Sequence, residues 1–160
     1  MRGGHADGGR PGHTLVEEEP TMLPFTEVSH ISVTVTNLEG AKAFYGAVLG
    51  LREIPRPAFP FPGVWYALMG DVSLHVTVKP EMPFRAPERF DTRDPHFALA
   101  VADADDIEAR LRASGRPYHD FTDTPSGLRQ LFVQDPDGNM IEFIGPTRER
   151  RVRVMESPAP

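Results

Sequence analysis

The chain contains no cysteine. Disulfide frameworks, thiolate nucleophiles and zinc-thiolate centres are therefore excluded, while the redox compartment stays open. Nor does it hold an apolar run near the roughly 18 residues that a membrane-spanning helix requires. The opening segment MRGGHADGGRPGHTLVEEEP lacks a signal peptide's apolar core. These absences lead us to expect a soluble cytoplasmic protein with no membrane partner. Positive charge is also in deficit, with 17 Lys and Arg against 23 Asp and Glu and a formal net charge of −6. That balance argues against an electrostatic grip on nucleic acid and leaves small molecules or proteins as partners.

What the 160 residues do contain is an internal duplication. The segment HISVTVTNLEGAKAFYGAVLG, followed by GDVSLHVTV, is answered by HFALAVADADDIEARLRASG, followed by DGNMIEFIG. The opening histidines, His30 and His96, stand 66 residues apart, and the closing His75 and Glu142 stand 67 apart. Four potential metal ligands therefore occupy equivalent points of two copies of one unit. The length suits a single domain made of two small modules. Residues 1–24, rich in Gly, Pro and Glu and without hydrophobic period, are expected to form a mobile tail in which His5 and His13 are bystanders. A second tail is expected over 148–160. The folded part then runs over 25–147, as module one (25–79), a polar, proline-rich connector (80–94) and module two (95–147).

Periodicity assigns the elements. Over Val28–Val35, Ile31, Val33 and Val35 share one face and His30, Ser32 and Thr34 the other, the period of a half-buried strand. Asn37 offers a helix cap, and Leu38, Ala41, Phe44, Tyr45, Val48 and Leu49 recur at helical spacing before Gly50. Strands are predicted at about Arg52–Ile54, Val64–Met69 and Val72–Val78, with EIPRPAFPFPG as a loop. Module two repeats the order: a strand from His96 to Val101, a helix capped by Asp103 with Ala104, Ile107 and Leu111 as its apolar stripe, then strands at about Tyr118–Phe121, Gln130–Val133 and Met140–Ile144. The last two are joined by the turn sequence Asp135-Pro136-Asp137-Gly138. The fold class is α+β, with paired βαβββ modules forming a curved mixed sheet. Alternation then directs His30, His75, His96 and Glu142 away from the helix-covered apolar side, toward a concave cleft.

The paired modules, the NLEGAKAFYGAVLGL segment and above all DPDGNMIEF resemble the vicinal oxygen chelate superfamily. That superfamily includes glyoxalase I, fosfomycin-resistance proteins, methylmalonyl-CoA epimerase, extradiol dioxygenases and bleomycin-binding proteins. The resemblance covers about residues 26–146 and implies that residues on the first and last strands of each module hold a metal. Carried across, these are His30, His75, His96 and Glu142. It also implies a homodimer, in which modules pair within or between chains. Glutathione-dependent glyoxalase I normally has a glutamate where His75 stands, and Arg and Asn where this chain has Thr34 and Lys79, so the charge pattern for glutathione is altered.

Imidazoles and a carboxylate suit divalent Ni, Co, Mn, Fe or Zn and leave open positions for two neighbouring substrate oxygens. The ion would stabilise an enediolate or alkoxide as charge develops. His75 and Glu142 are the candidate catalytic residues, with His75 open between ligand, general base and pocket residue. Of Trp65 and Tyr66, one is expected to pack and the other to face the pocket. Tyr118 and His119 are read as surface residues, with an acid acting from beside the site as the alternative, and Arg129 and Gln130 as either a solvated strand end or an anion grip. The leading expectation is a metal-dependent glyoxalase-like lyase or isomerase acting on a small substrate with vicinal oxygens. An Fe(II) extradiol-type dioxygenase and a bleomycin-resistance-type binding protein are the alternatives.

Overall fold

A computed structural model describes residues 25–83, 90–122 and 124–149. The expected N-terminal tail (1–24), part of the connector (84–89) and residues 150–160 of the expected C-terminal tail lie outside the described residues.

Module one opens with β1 (His30–Val35), which buries Val33 and Val35 and leaves His30 exposed. The Asn37 side chain accepts from the Gly40 N–H at 2.8 Å and caps α1 (Leu38–Ala41). The helix continues, but Lys42–Val48 is a π-helix rather than the ordinary α-helix that the spacing predicts. The Leu49 N–H reaches back five residues to the Phe44 carbonyl at 2.9 Å. A wider turn allows adjacent Phe44 and Tyr45 to point inward together, and both are fully buried. Three strands follow: β2 (Glu53–Ile54), β3 (Gly63–Ala67) and β4 (Ser73–Val78).

Module two repeats this as β5 (His96–Ala100), α2 (Ala104–Ala113), β6 (Tyr118–Phe121), β7 (Arg129–Gln134) and β8 (Met140–Gly145). Asp103 caps α2 through the Asp105 N–H. The strand orders, β1-β4-β3-β2 and β5-β8-β7-β6, match element for element. In each sheet the first strand runs parallel to the last, a pairing that requires a crossover, and the helix supplies it. The paired βαβββ modules are thus carried by two mixed sheets of four strands each.

Both helices cover the apolar face of their sheets, and one core spans the two modules, from Val33, Phe44 and Leu74 to Leu111, Leu131 and Ile141. The modules are joined at the DPDG turn. Asp135, buried, accepts from the N–H groups of Asp137 and Asn139 on one oxygen and from Tyr45 Oη (2.9 Å) and Asn139 Nδ2 (2.8 Å) on the other. Asn139 Nδ2 also donates to the Thr34 carbonyl, and Thr36 donates to Asp137 at 2.6 Å. Gly138 takes the left-handed conformation (φ 83°) that lets the turn close. Burial pushes the Tyr45 phenol well above its ordinary value and raises the Asp135 carboxyl as well. Past β8, Arg148 is tied back to α2 through Asp105 and Asp106.

Candidate metal centre

Strand pairing settles which side chains share a face. In module one, His75 lies opposite Trp65 on β3 and Ser32 on β1. In module two, Glu142 lies opposite Phe132 on β7 and Ala98 on β5. Alternation then puts His30 with His75, and His96 with Glu142, on the helix-free faces.

The module-one pair is a ring stack. His75 sits between Trp65 (centroids 3.9 Å apart, planes 3° apart) and His30 (4.2 Å, 12°). Its Nε2 is hydrogen-bonded to Ser73 Oγ at 3.0 Å, and His30 Nδ1 to Ser29 Oγ at 3.2 Å. Parallel rings aim their in-plane lone pairs side by side, so one ring must turn before both converge on an ion. His30, exposed on the first strand residue, is placed to do so. Burial, followed by the charges of His30 and Arg56, holds the His75 imidazole below its ordinary value.

The module-two pair is in direct contact. His96 Nε2 lies 3.1 Å from Glu142 Oε2, and the other Glu142 oxygen accepts from Gln130 Nε2 at 2.5 Å. His96 Nδ1 donates to the Asp94 carbonyl at 2.8 Å. Glu142 is only 5% exposed. Phe132, 3% exposed, meets the His96 ring edge-on and seals the carboxylate from one side.

The four residues expected to converge thus form two contacts, His30 with His75 and His96 with Glu142, and the two are not gathered into one cluster. No group of three or more His, Asp or Glu side chains among the described residues is gathered to hold a metal ion. A cleft of about 340 Å³ between the modules is bordered by Ser32, Thr34, His96 and Met140, with His96 the one candidate ligand on it. A cavity of about 520 Å³ near Phe90, Arg116 and His119 touches none of the four.

Other expectations divide in the same way. Tyr66 packs in the core and Trp65 faces the site. Arg129 holds no open face for an anion: it is buried on the helix side, bonded to Asp105, Glu108 and Asp120, and this raises its already high pKa. Its neighbour Gln130 points the other way, to Glu142. His119 is exposed, lying against Phe90 and Phe121. The Gln130 support, the Phe132 seal and the Trp65 stack were not predicted. The alternation Gln130-x-Phe132 could have placed the first two beside Glu142, given the β7–β8 register.

The chain belongs to the Glyoxalase/Bleomycin resistance protein/Dioxygenase superfamily, whose family model matches residues 27–143. It is 30% identical over 134 residues to Glyoxylase I 4 of Arabidopsis thaliana, covering 81% of this chain and 76% of that protein. Its structure is similar to that of a glyoxalase family protein from Bacillus anthracis, with a TM-score of 0.66, 26% identity, and coverage of 79% of this chain and 100% of that one. The same fold occurs in a fosfomycin resistance protein of Listeria monocytogenes complexed with Mn(II) and a dihydroxypropylphosphonic acid. There the TM-score is 0.61 and the identity 18%, over 81% of this chain and 98% of that one. No helix among the described residues is long and apolar enough to cross a membrane.

Proposed function

We propose that this protein is a divalent-metal-dependent enzyme of the glyoxalase-like type, a lyase or isomerase acting on a small substrate with two neighbouring oxygens. The observation that carries this reading is the His96–Glu142 contact. The Asp94 carbonyl can only accept, so His96 Nδ1 carries a proton and Nε2 is the ring nitrogen turned toward Glu142. Glu142 Oε2 lies 3.1 Å from it. A positive centre between the two atoms, a proton on Nε2 or a divalent ion in its place, accounts for this spacing. An imidazole nitrogen and a carboxylate oxygen are both donors that a divalent ion accepts. The carbonyl behind His96 and the amide behind Glu142 are the kind of outer contacts that fix ligands in place.

When bound, the ion would serve as a Lewis acid for charge developing on a substrate oxygen. His30, His75, His96 and Glu142 are the proposed ligand set, with nickel, cobalt, manganese, iron and zinc all compatible with its donors. His75, kept neutral by burial and by neighbouring positive charge, offers a bare nitrogen at neutral pH. We assign proton movement to His75 and Glu142. Because one chain gathers no three-ligand group among its described residues, a homodimer setting module one of one protomer against module two of the other is the arrangement we favour. The location we propose is the cytoplasm.

Metal content after native purification, and after stripping and reloading, tests the reading, together with His96→Ala and Glu142→Ala variants. Stoichiometric metal in the wild type, lost in both variants, is expected. Equal and negligible metal in all three would overturn it and leave the small-molecule binder. Native iron with oxygen uptake on a catechol panel would favour the dioxygenase instead. Light scattering giving a monomer would remove the shared site.

A further inference from the structure

The loop between β2 and β3 carries a feature that metal binding does not use. Phe59 and Phe61 stack on each other with centroids 5.4 Å apart, yet remain 44% and 41% exposed. Phe59 also meets Trp65 at 6.0 Å, and Trp65 stacks on His75, so an unbroken run of rings leads from open solvent to a candidate ligand. The two phenyl rings thus present aromatic surface to solvent beside the candidate site. The patch also carries a cation. The Arg56 guanidinium lies over both phenyl rings, 4.9 Å and 5.1 Å from their centroids, and donates once, to the Phe61 carbonyl at 3.0 Å.

Arg93, Arg112, Arg129 and Arg148 each pair with carboxylates. Arg56 is one of the described arginines, with Arg52, Arg110 and Arg116, for which no ion pair occurs among the described residues. Its position is built. A Cβ on Gly63 would stand 2.5 Å from the Val76 carbonyl, so the close strand approach requires glycine here, and 3.3 Å from Arg56 Nε, which packs on the surface that the missing side chain leaves open. Gly63 shares the site face with Trp65 two residues on, which sets the cation about 7 Å along the strand from the Trp65–His75 pair. Pro55, Pro57, Pro60 and Pro62 each fix φ in this loop, so the shelf is rigid before any ligand arrives.

We propose that Arg56 with Phe59, Phe61 and Trp65 forms the specificity shelf of the His75 site and selects an aryl acid. The carboxylate of such a substrate takes the unused N–H groups of Arg56, and its ring lies on the exposed phenyl faces. The adjacent oxygens then reach the His30/His75 side. The assignment rests on the reading of His75 as a site residue, but the shelf is testable without metal.

Trp65 is the only tryptophan, so its fluorescence reports this face directly. Phenylglyoxylate, its methyl ester and glyoxylate are titrated into metal-stripped, full-length protein. Saturable quenching by phenylglyoxylate is expected, with the neutral ester and the ring-free acid each weaker by about tenfold or more, as loss of a charged hydrogen bond or a stacked ring implies. Arg56→Gln should weaken phenylglyoxylate by about the same factor and leave the ester unchanged, with Arg56→Lys intermediate. Phe59→Ala should weaken both aryl probes. No saturable response, equal binding of acid and ester, or an Arg56→Gln curve matching the wild type overturns the proposal. Metal uptake on reloading, measured on the same proteins, separates the two readings: a shelf that fails in protein that still takes up metal refutes the shelf alone, and a shelf that holds in protein that takes up no metal on reloading refutes the catalytic reading alone.

Discussion

Tyr45→Phe probes the joint between the modules with a single oxygen removed. The Tyr45 ring is fully buried and stays in place in the variant, so no cavity opens. What is lost is the O–H donated at 2.9 Å to Asp135, a carboxylate that is 1% exposed and lies 90 residues away on the other module. Hydrogen bonds to charged groups contribute roughly 1.5–3 kcal/mol, and a buried acceptor left short of a donor adds to the loss. Asp135 keeps three other donors, two backbone N–H groups and the Asn139 amide, so the cost should stay near the middle of that range, about 2 kcal/mol. For a domain of this size that corresponds to a fall in Tm of roughly 4–8 °C. The pH dependence sharpens the test. Burial raises the Asp135 carboxyl and the Tyr45 hydrogen bond acts against this by favouring the ionised form, so the variant's carboxyl is raised further. The difference between wild type and variant is therefore full above the Asp135 titration and shrinks as pH falls through it. Urea unfolding followed by circular dichroism and Trp65 fluorescence at pH 7 and at lower pH measures both quantities. A loss below about 0.5 kcal/mol at pH 7, within the range of ordinary surface substitutions, or an equal loss at every pH would refute the joint as described.

Gln130→Leu should keep the fold and lower Mn(II) affinity by about tenfold, read by calorimetric titration, because Glu142 loses the amide that holds it; unchanged affinity would remove Gln130 from the site. Arg129→Ala should cost about 3 kcal/mol, since three carboxylates would be left facing one another. Glu108 is held below its ordinary value first by its hydrogen bond to Arg129, so its contribution is present above the unfolded value and lost as pH falls through the folded one. In the Arg129 variant that acid limb should flatten, and an unchanged acid unfolding profile would contradict the cage. His75, whose imidazole is held below the ordinary 6.5, contributes stability that is present above that value and lost as pH falls below it. His75→Phe should keep the Trp65 stack and reduce the loss of Tm between pH 7.5 and 5.5, scanned by calorimetry.

The elements were readable in the sequence because their signals are local. Alternation around His30 and His96 located both opening strands within two residues, and Asn37 and Asp103 marked the helix caps where they occur. The π-helical stretch was not readable, since Phe44 and Tyr45 fit ordinary helical spacing and only the packing of both inward selects the wider turn. Arg129 and Gln130 show the same limit in the site. Adjacent strand residues must point oppositely, but which of them meets the helix and which meets Glu142 depends on the register of β7 against β8.

The duplication, the helix-strand order and the face on which each of the four ligand candidates lies follow from the chain itself, because side-chain direction along a strand is a property of consecutive residues. Partnership was decided only in three dimensions. Pairing β1 parallel to β4, and β5 to β8, across long crossovers stacks His30 on His75 and sets His96 against Glu142. The same folding turns DPDG from a hairpin bend into the clamp that Tyr45 and Thr36 reach. Contacts of that kind join residues tens of positions apart, and no local period in the chain encodes them.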